Sequence, residues 1–262
     1  MILGLVLAVF VGVTLGLVGS GGSIMTVPIL VYIMGVNPVL ATTYSLFTIG
    51  LTSLIGSIKG IIHKDVDFQK ILLFGIPSMI TVFIARQYLL PLVPDTFEVG
   101  NYVIHQDKLL MLLFALVMML SAYGIISDHY RKKCDELCVD VTKFKIVLQG
   151  VIVGLVTGAV GAGGGFLIIP ALVNFFKLSM KKAVSTSLLL IAMNSILGLL
   201  GDLEKINNID WNLLLPYTSL TVLGIFIGFV LSNRIDGGHL KLAFGYMIAL
   251  VSIFVAINVL VF

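Results

Sequence analysis

Charged residues are scarce in this chain of 262 residues, and their scarcity excludes most classes of protein. Only 11% of the residues are Asp, Glu, Lys or Arg, whereas soluble domains average about 25%. Residues 1–58 contain no charged residue and no histidine. A soluble protein of this size could not cover its surface with so few charges. A net charge of +3 forms no basic patch, so a nucleic-acid partner is excluded as well.

Cysteine is nearly absent, which excludes a disulfide-stabilised secreted domain. Cys134 and Cys138 lie in the most charged loop without His or Cys partners at metal-ligand spacing, so we expect free thiols and no metal site. The first residues lack a basic segment and a cleavage signal, which predicts no removable signal peptide. Because 59% of the residues are apolar, the chain is predicted to be a polytopic membrane protein whose solvent is the lipid bilayer.

Uncharged runs of about 20 residues predict helices that span the membrane. Six runs are long enough, at residues 39–58, 71–90, 109–127, 183–201, 211–233 and 242–262. Four shorter apolar pieces remain, at residues 2–18, 24–36, 146–160 and 166–176. Glycine-rich breaks join each short pair, which predicts two helical hairpins dipping into the membrane. The sequence leaves open whether these hairpins are re-entrant or cross completely.

The basic residues predict the orientation of the spans, because Lys and Arg concentrate in cytoplasmic loops. Placing the loop 128–145 in the cytoplasm puts 13 of the 16 Lys and Arg residues inside. A single crossing of the second glycine-rich unit would lower that number to nine. The distribution therefore favours the hairpins and places both termini outside.

An internal repeat at an offset of 142 residues is the strongest local signal in the sequence. The segment Gly16–Val31 reads GLVGSGGSIMTVPILV, and Gly158–Val173 reads GAVGAGGGFLIIPALV. The register continues, since ATTYSLF at Ala41 aligns with AVSTSLL at Ala183. Further on, TSLIG at Thr52 aligns with NSILG at Asn194.

The repeat divides the chain into residues 1–127, a basic cytoplasmic linker 128–145, and residues 146–262. Each half contains one glycine-broken hairpin and three spanning helices. Three is an odd number, so the second half is predicted to be inverted relative to the first. The expected fold class is an all-α polytopic membrane protein with two inverted repeats, an architecture in which interrupted helices in matching positions surround the substrate.

The glycine breaks are the candidate binding site, because each leads into a short helix whose first N–H groups and partial positive charge suit an anion. Hydroxyl and amide groups on the following helices can donate further hydrogen bonds. The predicted substrate-binding residues are Gly19, Ser20, Gly21, Gly22, Ser23, Thr43, Ser45, Gly161, Ala162, Gly163, Gly164, Gly165, Ser185, Ser187 and Asn194. We expect the two loops to meet near the membrane midplane.

No charged residue falls in the middle of a predicted span, which argues against a buried carboxylate proton relay. The anion is therefore expected to be held by dipoles, with no cofactor and no metal, and the coupling ion is left open. Arg86 and Arg234 lie near the ends of their spans. Such residues are most often anchors whose side chains reach the interface, although either could attract anions.

Three other classes of membrane protein are alternatives to a carrier. A membrane hydrolase would need a base near a nucleophile such as Ser20, but no His or Lys lies within a span, so no enzyme is predicted. A channel would use opposed half-helices in a similar way, and counter-exchange would distinguish a carrier from it. A scaffold without transport would not call for matched glycine breaks.

The chain resembles the sulfite exporter TauE/SafE family of membrane permeases. The resemblance rests on the duplicated G-x-x-G-x-G-G…P element, the A-x-x-x-S that follows each copy, and the basic central loop, and it extends from about Val6 to Val255. It implies transport of a small sulfur-containing anion, such as sulfite or a sulfonate, across the prokaryotic plasma membrane, with a non-sulfur carboxylate as the alternative substrate. The first copy has Ser20 and Ser23 where the second has Ala162 and Gly165. The oligomeric state is open, and a homo-oligomer is compatible with the sequence.

Overall fold

The chain folds into a bundle of apolar helices in the computed structural model. The structure describes residues 2–19, 21–92, 94, 96–99, 102–130, 143–161, 163–174, 176, 178–203, 209–232 and 237–261. Three residues discussed above lie outside the described residues: Cys134, Cys138 and Arg234. Most of the predicted basic linker lies outside them as well.

The described helices fall into two sets of five. The first set is α1 (Ile2–Val18), α2 (Gly21–Pro28, continued by a π-helical segment Ile29–Ile33), α3 (Pro38–Ile62), α4 (Phe68–Leu89) and α5 (Gln106–Tyr130). The second set is α6 (Lys143–Val160), α7 (Gly165–Asn174), α8 (Met180–Gly201), α9 (Trp211–Ser232) and α10 (Gly237–Val261).

The long helices match the predicted spans. Within the described residues, α3, α4, α5, α8 and α9 are long and apolar enough to cross a membrane. The sixth predicted span falls in α10, a helix of 25 residues. Its apolar stretch Gly245–Val259 is shorter than the apolar stretches of those five helices. Local capping explains one helix start, because the Asn37 side chain accepts from the backbone N–H groups of Val39 and Leu40.

A short β-hairpin between α4 and α5 was not predicted by the all-α assignment. Its strands β1 (Thr96–Val99) and β2 (Tyr102–His105) pair antiparallel. Both strands carry β-branched and aromatic residues and flank a Gly-Asn pair in the sequence, which is a typical hairpin signal. The correction is local and leaves the helical bundle unchanged.

The short helices form the predicted hairpins. In the first half, α2 folds back along α1, since Gly22 adjoins Val11 and Thr14, while Gly4 adjoins Met34 at the other end. In the second half, Gly164 adjoins Thr157 of α6 where the chain turns into α7. The glycine breaks therefore produce reversals of the chain.

The helices α3 and α8 form the centre of the bundle and run antiparallel. Thr43 bonds to Asp202 at one end, and at the other end Gly60 adjoins Ser185. Between these contacts Gly50 adjoins Ser195. A residue of α3 therefore comes level with its repeat equivalent on α8 only near Thr52 and Asn194, about half-way along both helices.

Glycines let the outer helices pack closely. Gly12 and Gly16 of α1 lie against Gly224 and Gly228 of α9, with the two helices parallel. In the same way, Gly154 and Gly158 of α6 lie against Ser78 and Val82 of α4, respectively. Small residues four apart allow the backbones of membrane helices to approach in this way.

Polar and apolar side chains are distributed as expected for a membrane protein. Large apolar side chains such as Leu120, Leu223 and Leu250 are exposed on the outside of the bundle. Many hydroxyl side chains are buried inside it among apolar ones, and the fully buried hydroxyl residues of α3 are Thr42, Thr43, Ser45, Thr48, Thr52, Ser53 and Ser57. The described part of the chain therefore has an apolar surface around a polar interior.

Candidate functional site

Unpartnered hydroxyl groups cluster where α3 and α8 come level. Thr52 and Ser53 of α3 and Ser195 of α8 are fully buried, and their hydroxyl oxygens have no hydrogen-bond partner. Leaving a buried polar group unsatisfied costs about 1–3 kcal/mol. A set of such groups at one level therefore indicates a place where water or a ligand completes the hydrogen bonds.

Asn194 completes this cluster, which we call the central cluster: Thr52, Ser53, Asn194 and Ser195. The Asn194 Nδ2 atom donates to Ser78 Oγ of α4 at 3.0 Å, and its Oδ1 atom has no partner. An amide rotated by 180° would accept from Ser78 and present its NH₂ group to the cluster instead. Either orientation leaves one polar amide atom available, and Ser78 fixes the position of the side chain.

The second glycine break reaches the central cluster. A Cβ atom added to Gly163 would lie 3.1 Å from Ser195 Oγ, and Ile49 and Ile191 are its other neighbours. The φ angle of Gly163 is +65°, a value that favours glycine. Because α7 begins two residues later, at Gly165, the start of this short helix is held beside α8.

The two glycine breaks begin at opposite ends of the α3–α8 pair. Gly19, with φ of +78°, adjoins Val184 and Ser187 near the start of α8. Its repeat equivalent Gly161, with φ of +72°, adjoins Thr42 near the start of α3. We call these two ends the Gly19 end and the Gly161 end.

The predicted hydroxyl residues are spread between these ends. Thr43 Oγ1 donates to Asp202 at 2.8 Å at the Gly161 end, and Ser185 adjoins Gly60 at the Gly19 end. Thr43 lies nine residues before Thr52, and Ser185 lies nine residues before Asn194, which is about 13 Å along each helix. Thr43 and Ser185 therefore cannot contact the same small ion in this conformation.

The remaining predicted residues have the following positions. Ser187 Oγ bonds to the carbonyl oxygens of Gly19 and Val184, while its equivalent Ser45 is buried with an unpartnered hydroxyl. Ser23 is also buried. Gly21 and Gly165 begin α2 and α7, and Gly22 and Gly164 pack against α1 and α6. Ser20 and Ala162 lie outside the described residues.

Arg86 corrects two expectations from the sequence. Its side chain does not reach the interface; it is fully buried and ion-paired with Asp202, with 2.6 Å between Nη1 and Oδ2. The pair joins α4 to the end of α8 at the Gly161 end, where Nη1 also donates to Thr42 Oγ1 at 3.0 Å. The protein interior therefore contains fixed charges in addition to helix dipoles.

Sequence reasoning assigned Asn194 to the site but left out its neighbours. Thr52, Ser53 and Ser195 carry the same repeat signal, since TSLIG and NSILG align. The alignment marks these residues as repeat equivalents, but only the antiparallel register of α3 and α8 shows that they lie at one level. Ser78 and the Arg86–Asp202 pair carry no such signal, since both involve contacts 116 residues apart in the chain. In the described part of the chain, no group of three His, Cys, Asp or Glu side chains could hold a metal ion.

These observations define a class of protein: a multi-pass helical membrane protein with a polar interior between two broken-helix hairpins. Comparison with known families agrees with this class, since residues 4–255 match the model of the family described as "Sulfite exporter TauE/SafE". The chain belongs to the TauE/SafE family of membrane transporters. The resemblance inferred from the glycine repeat is therefore confirmed.

Related proteins are named as transporters as well. A "Probable membrane transporter protein" of Xylella fastidiosa (strain 9a5c) is 26% identical over 94% of this chain and 90% of its own length. The "Probable membrane transporter protein YunE" of Bacillus subtilis (strain 168) is 26% identical over 79% of each chain. A protein of that general name from Methanocaldococcus jannaschii is 34% identical over 42% of this chain. No solved structure matches the chain.

Proposed function

We propose that the protein is a secondary transporter that binds a small sulfur-containing oxyanion at the central cluster and moves it by alternating access. The observation that carries the proposal is the set of buried, unpartnered hydroxyl groups of Thr52, Ser53 and Ser195 beside Gly163. Neutral hydroxyl donors suit an anion that must be released again, because they bind it without a permanent ion pair. The family description, sulfite exporter, supports the class of substrate.

The inverted arrangement of the two halves is part of this proposal. It is supported by the antiparallel packing of α3 and α8, which are repeat equivalents. The last helices of the halves are also antiparallel, since Ser252 of α10 bonds to Ala115 of α5 and Gly245 adjoins Ile125. Equivalent helices that run in opposite directions are related by an axis in the membrane plane, as in other transporters.

The start of α7 provides the second part of the site. The first N–H groups of a helix have no intrahelical acceptor and carry a partial positive charge. Gly163 holds this start beside Ser195, and the repeat places Gly21 at the matching position of the first half. An anion between the two helix starts would therefore receive backbone and hydroxyl hydrogen bonds together.

Alternating access requires that the two ends of the α3–α8 pair open in turn. In the described conformation, Arg86, Asp202 and Thr42 pack together at the Gly161 end. At the Gly19 end, Ser187 bonds to the Gly19 carbonyl oxygen. The basic loops favour an orientation with both termini outside, which makes the Gly161 end the external one. A homo-oligomer is compatible with this arrangement.

Flux into proteoliposomes containing the purified protein tests the proposal. Ser53→Ala and Ser195→Ala each remove one anion donor and should raise the KM for radioactive sulfite roughly tenfold, since a hydrogen bond to a charged group is worth about 1.5–3 kcal/mol. Ser57→Ala is the matched control, because this serine lies on α3 and its hydroxyl bonds only to Leu54 O. The control should retain the wild-type KM.

Two outcomes would contradict the proposal. Wild-type kinetics in both Ser53→Ala and Ser195→Ala would remove the central cluster from the site. Flux without acceleration by sulfite on the opposite side would favour a channel over a carrier. Competition by sulfite, sulfonates and carboxylates identifies the substrate class, and stronger competition by a carboxylate would overturn the sulfur assignment.

A further inference from the structure

One edge of the buried Arg86 guanidinium has no partner. Its Nη1 atom donates to Asp202 Oδ2 and Thr42 Oγ1. The Nε and Nη2 atoms have no hydrogen-bond partner, and the side chain is fully buried. The ion pair with Asp202 therefore occupies one part of the guanidinium group and leaves the opposite edge free.

The free edge has the geometry of a bidentate anion receptor. The N–H groups of Nε and Nη2 lie in one plane and can donate in parallel to two oxygen atoms of a carboxylate or an oxyanion. Buried charged donors without partners are costly, so an unsatisfied edge in the interior indicates a ligand or a conformational change. A lysine at this position would keep the positive charge but not the paired donors.

Glycines surround the Arg86 side chain. A Cβ atom added to Gly161 would meet Arg86 Nη2, and the positive φ of Gly161 is suited to a residue without a side chain. A Cβ atom added to Gly201 of α8 would lie 2.7 Å from Arg86 Cβ. A side chain at Gly161 would therefore meet the guanidinium itself, and one at Gly201 would meet the first carbon of the Arg86 side chain.

The corresponding place at the Gly19 end is different. In the first half, Gly16 adjoins Ile225 and Gly228 of α9. In the second half, its repeat equivalent Gly158 adjoins Val82 and Ala85 of α4. The residue that follows each pair is Phe229 in α9 and Arg86 in α4, so Phe229 occupies the position that matches Arg86. There the Lys59 ammonium lies 4.7 Å above the Phe229 ring, and no carboxylate is recorded in contact with it among the described residues. The free guanidinium edge is therefore a feature of one end of the protein, although the backbone arrangement is repeated.

We propose that the Nε–Nη2 edge of Arg86 binds a small oxyanion when the Gly161 end opens. The inference rests on the proposed transport function and adds a second anion site, about 13 Å of helix from the central cluster. Asp202 balances the arginine charge, so it limits how tightly an anion binds there and allows the anion to pass on. The site would select for anions with two adjacent oxygen atoms, such as sulfite or a carboxylate, over chloride.

Opposite changes in affinity test this site. In Arg86→Lys, the KM for sulfite should rise at least about tenfold for flux that begins at the Gly161 end, because the paired donors are lost. In Asp202→Asn, that KM should fall, by about tenfold, because the competing negative charge is removed. Flux is measured in right-side-out and inside-out vesicles separately, and the change in KM should be larger from the Gly161 end than from the Gly19 end.

A direct binding measurement keeps the test valid if a variant transports poorly. Sulfite or acetate should raise the melting temperature of the purified Asp202→Asn variant more than that of the wild-type protein. The same anions should raise the melting temperature of Arg86→Lys less than that of the wild-type protein. Chloride, which has no oxygen atoms, is the control anion. Equal impairment of both variants, or unchanged KM values from both ends, would overturn the inference and leave a structural ion pair. Either result leaves the central cluster to be judged by Ser53→Ala and Ser195→Ala alone.

Discussion

The close crossing of α1 and α9 gives a prediction whose size follows from the structure. A Cβ atom at Gly12 would lie 2.9 Å from both Gly224 Cα and Ile225 N, and closer still to the Thr221 carbonyl oxygen. Ordinary van der Waals contact begins at 3.4 Å, so the two helices would have to move apart until these distances grow from 2.9 Å to at least 3.4 Å. Every atom in the way belongs to backbone, which cannot rotate aside. Gly12→Ala should therefore strain the crossing.

The matched control is Gly124→Ala in α5. Nothing lies within 4 Å of a Cβ atom added there. Both variants replace a helical glycine by alanine, which by itself favours the helix by about 0.5–1 kcal/mol. The difference between them isolates the overpacking cost, which is about 1–3 kcal/mol. Gly124→Ala should be neutral or stabilising, and Gly12→Ala should be the less stable of the two.

Unfolding by SDS in mixed micelles, followed by circular dichroism, measures this difference in the free energy of unfolding. The midpoint of Gly12→Ala should fall below that of Gly124→Ala. Equal midpoints for the two variants would refute the close packing of α1 on α9, and with it the placement of the first glycine break at the end of α1.

Two further predictions concern the site. Gly163→Val should abolish sulfite flux and leave membrane insertion intact, because valine is strained at positive φ and its side chain would meet Ser195 and Ile191. Flux is measured in proteoliposomes, with a parallel assay of membrane insertion. Retained flux would contradict the prediction. Asp202→Ala should lower the free energy of unfolding in SDS by about 3–5 kcal/mol, because Arg86 is left as an unpaired buried charge. The double variant Arg86→Met with Asp202→Ala should recover most of that loss, and a double variant no more stable than the single one would argue against the ion pair.

The apolar runs in the sequence predicted the long helices that the structure describes. The offset of 142 residues predicted that Thr52 and Asn194 are equivalent, and the glycine breaks predicted both hairpins. These signals are local or periodic, because helix-forming runs and chain reversals depend on nearby residues. Apolar runs and repeats do not mark the hairpin at Thr96–His105, although its residue types are typical of strands.

The contents of the site were less accessible to prediction. The sequence could not show that Thr43 and Ser185 lie at opposite ends, because that depends on the antiparallel register of α3 and α8. Nor could it show that Arg86 is buried, because its partner Asp202 is 116 residues away and follows the apolar run of α8. Both facts come from tertiary packing, which places positions near the end of a helix in the interior.

Anomalous scattering from selenite, the heavier analogue of sulfite, tests the central claim most directly. In crystals soaked with selenite, the account predicts a selenium peak between α3 and α8 with oxygen atoms about 3 Å from Ser53 and Ser195. A protein that transports selenite but shows its selenium only outside this cluster would contradict the account.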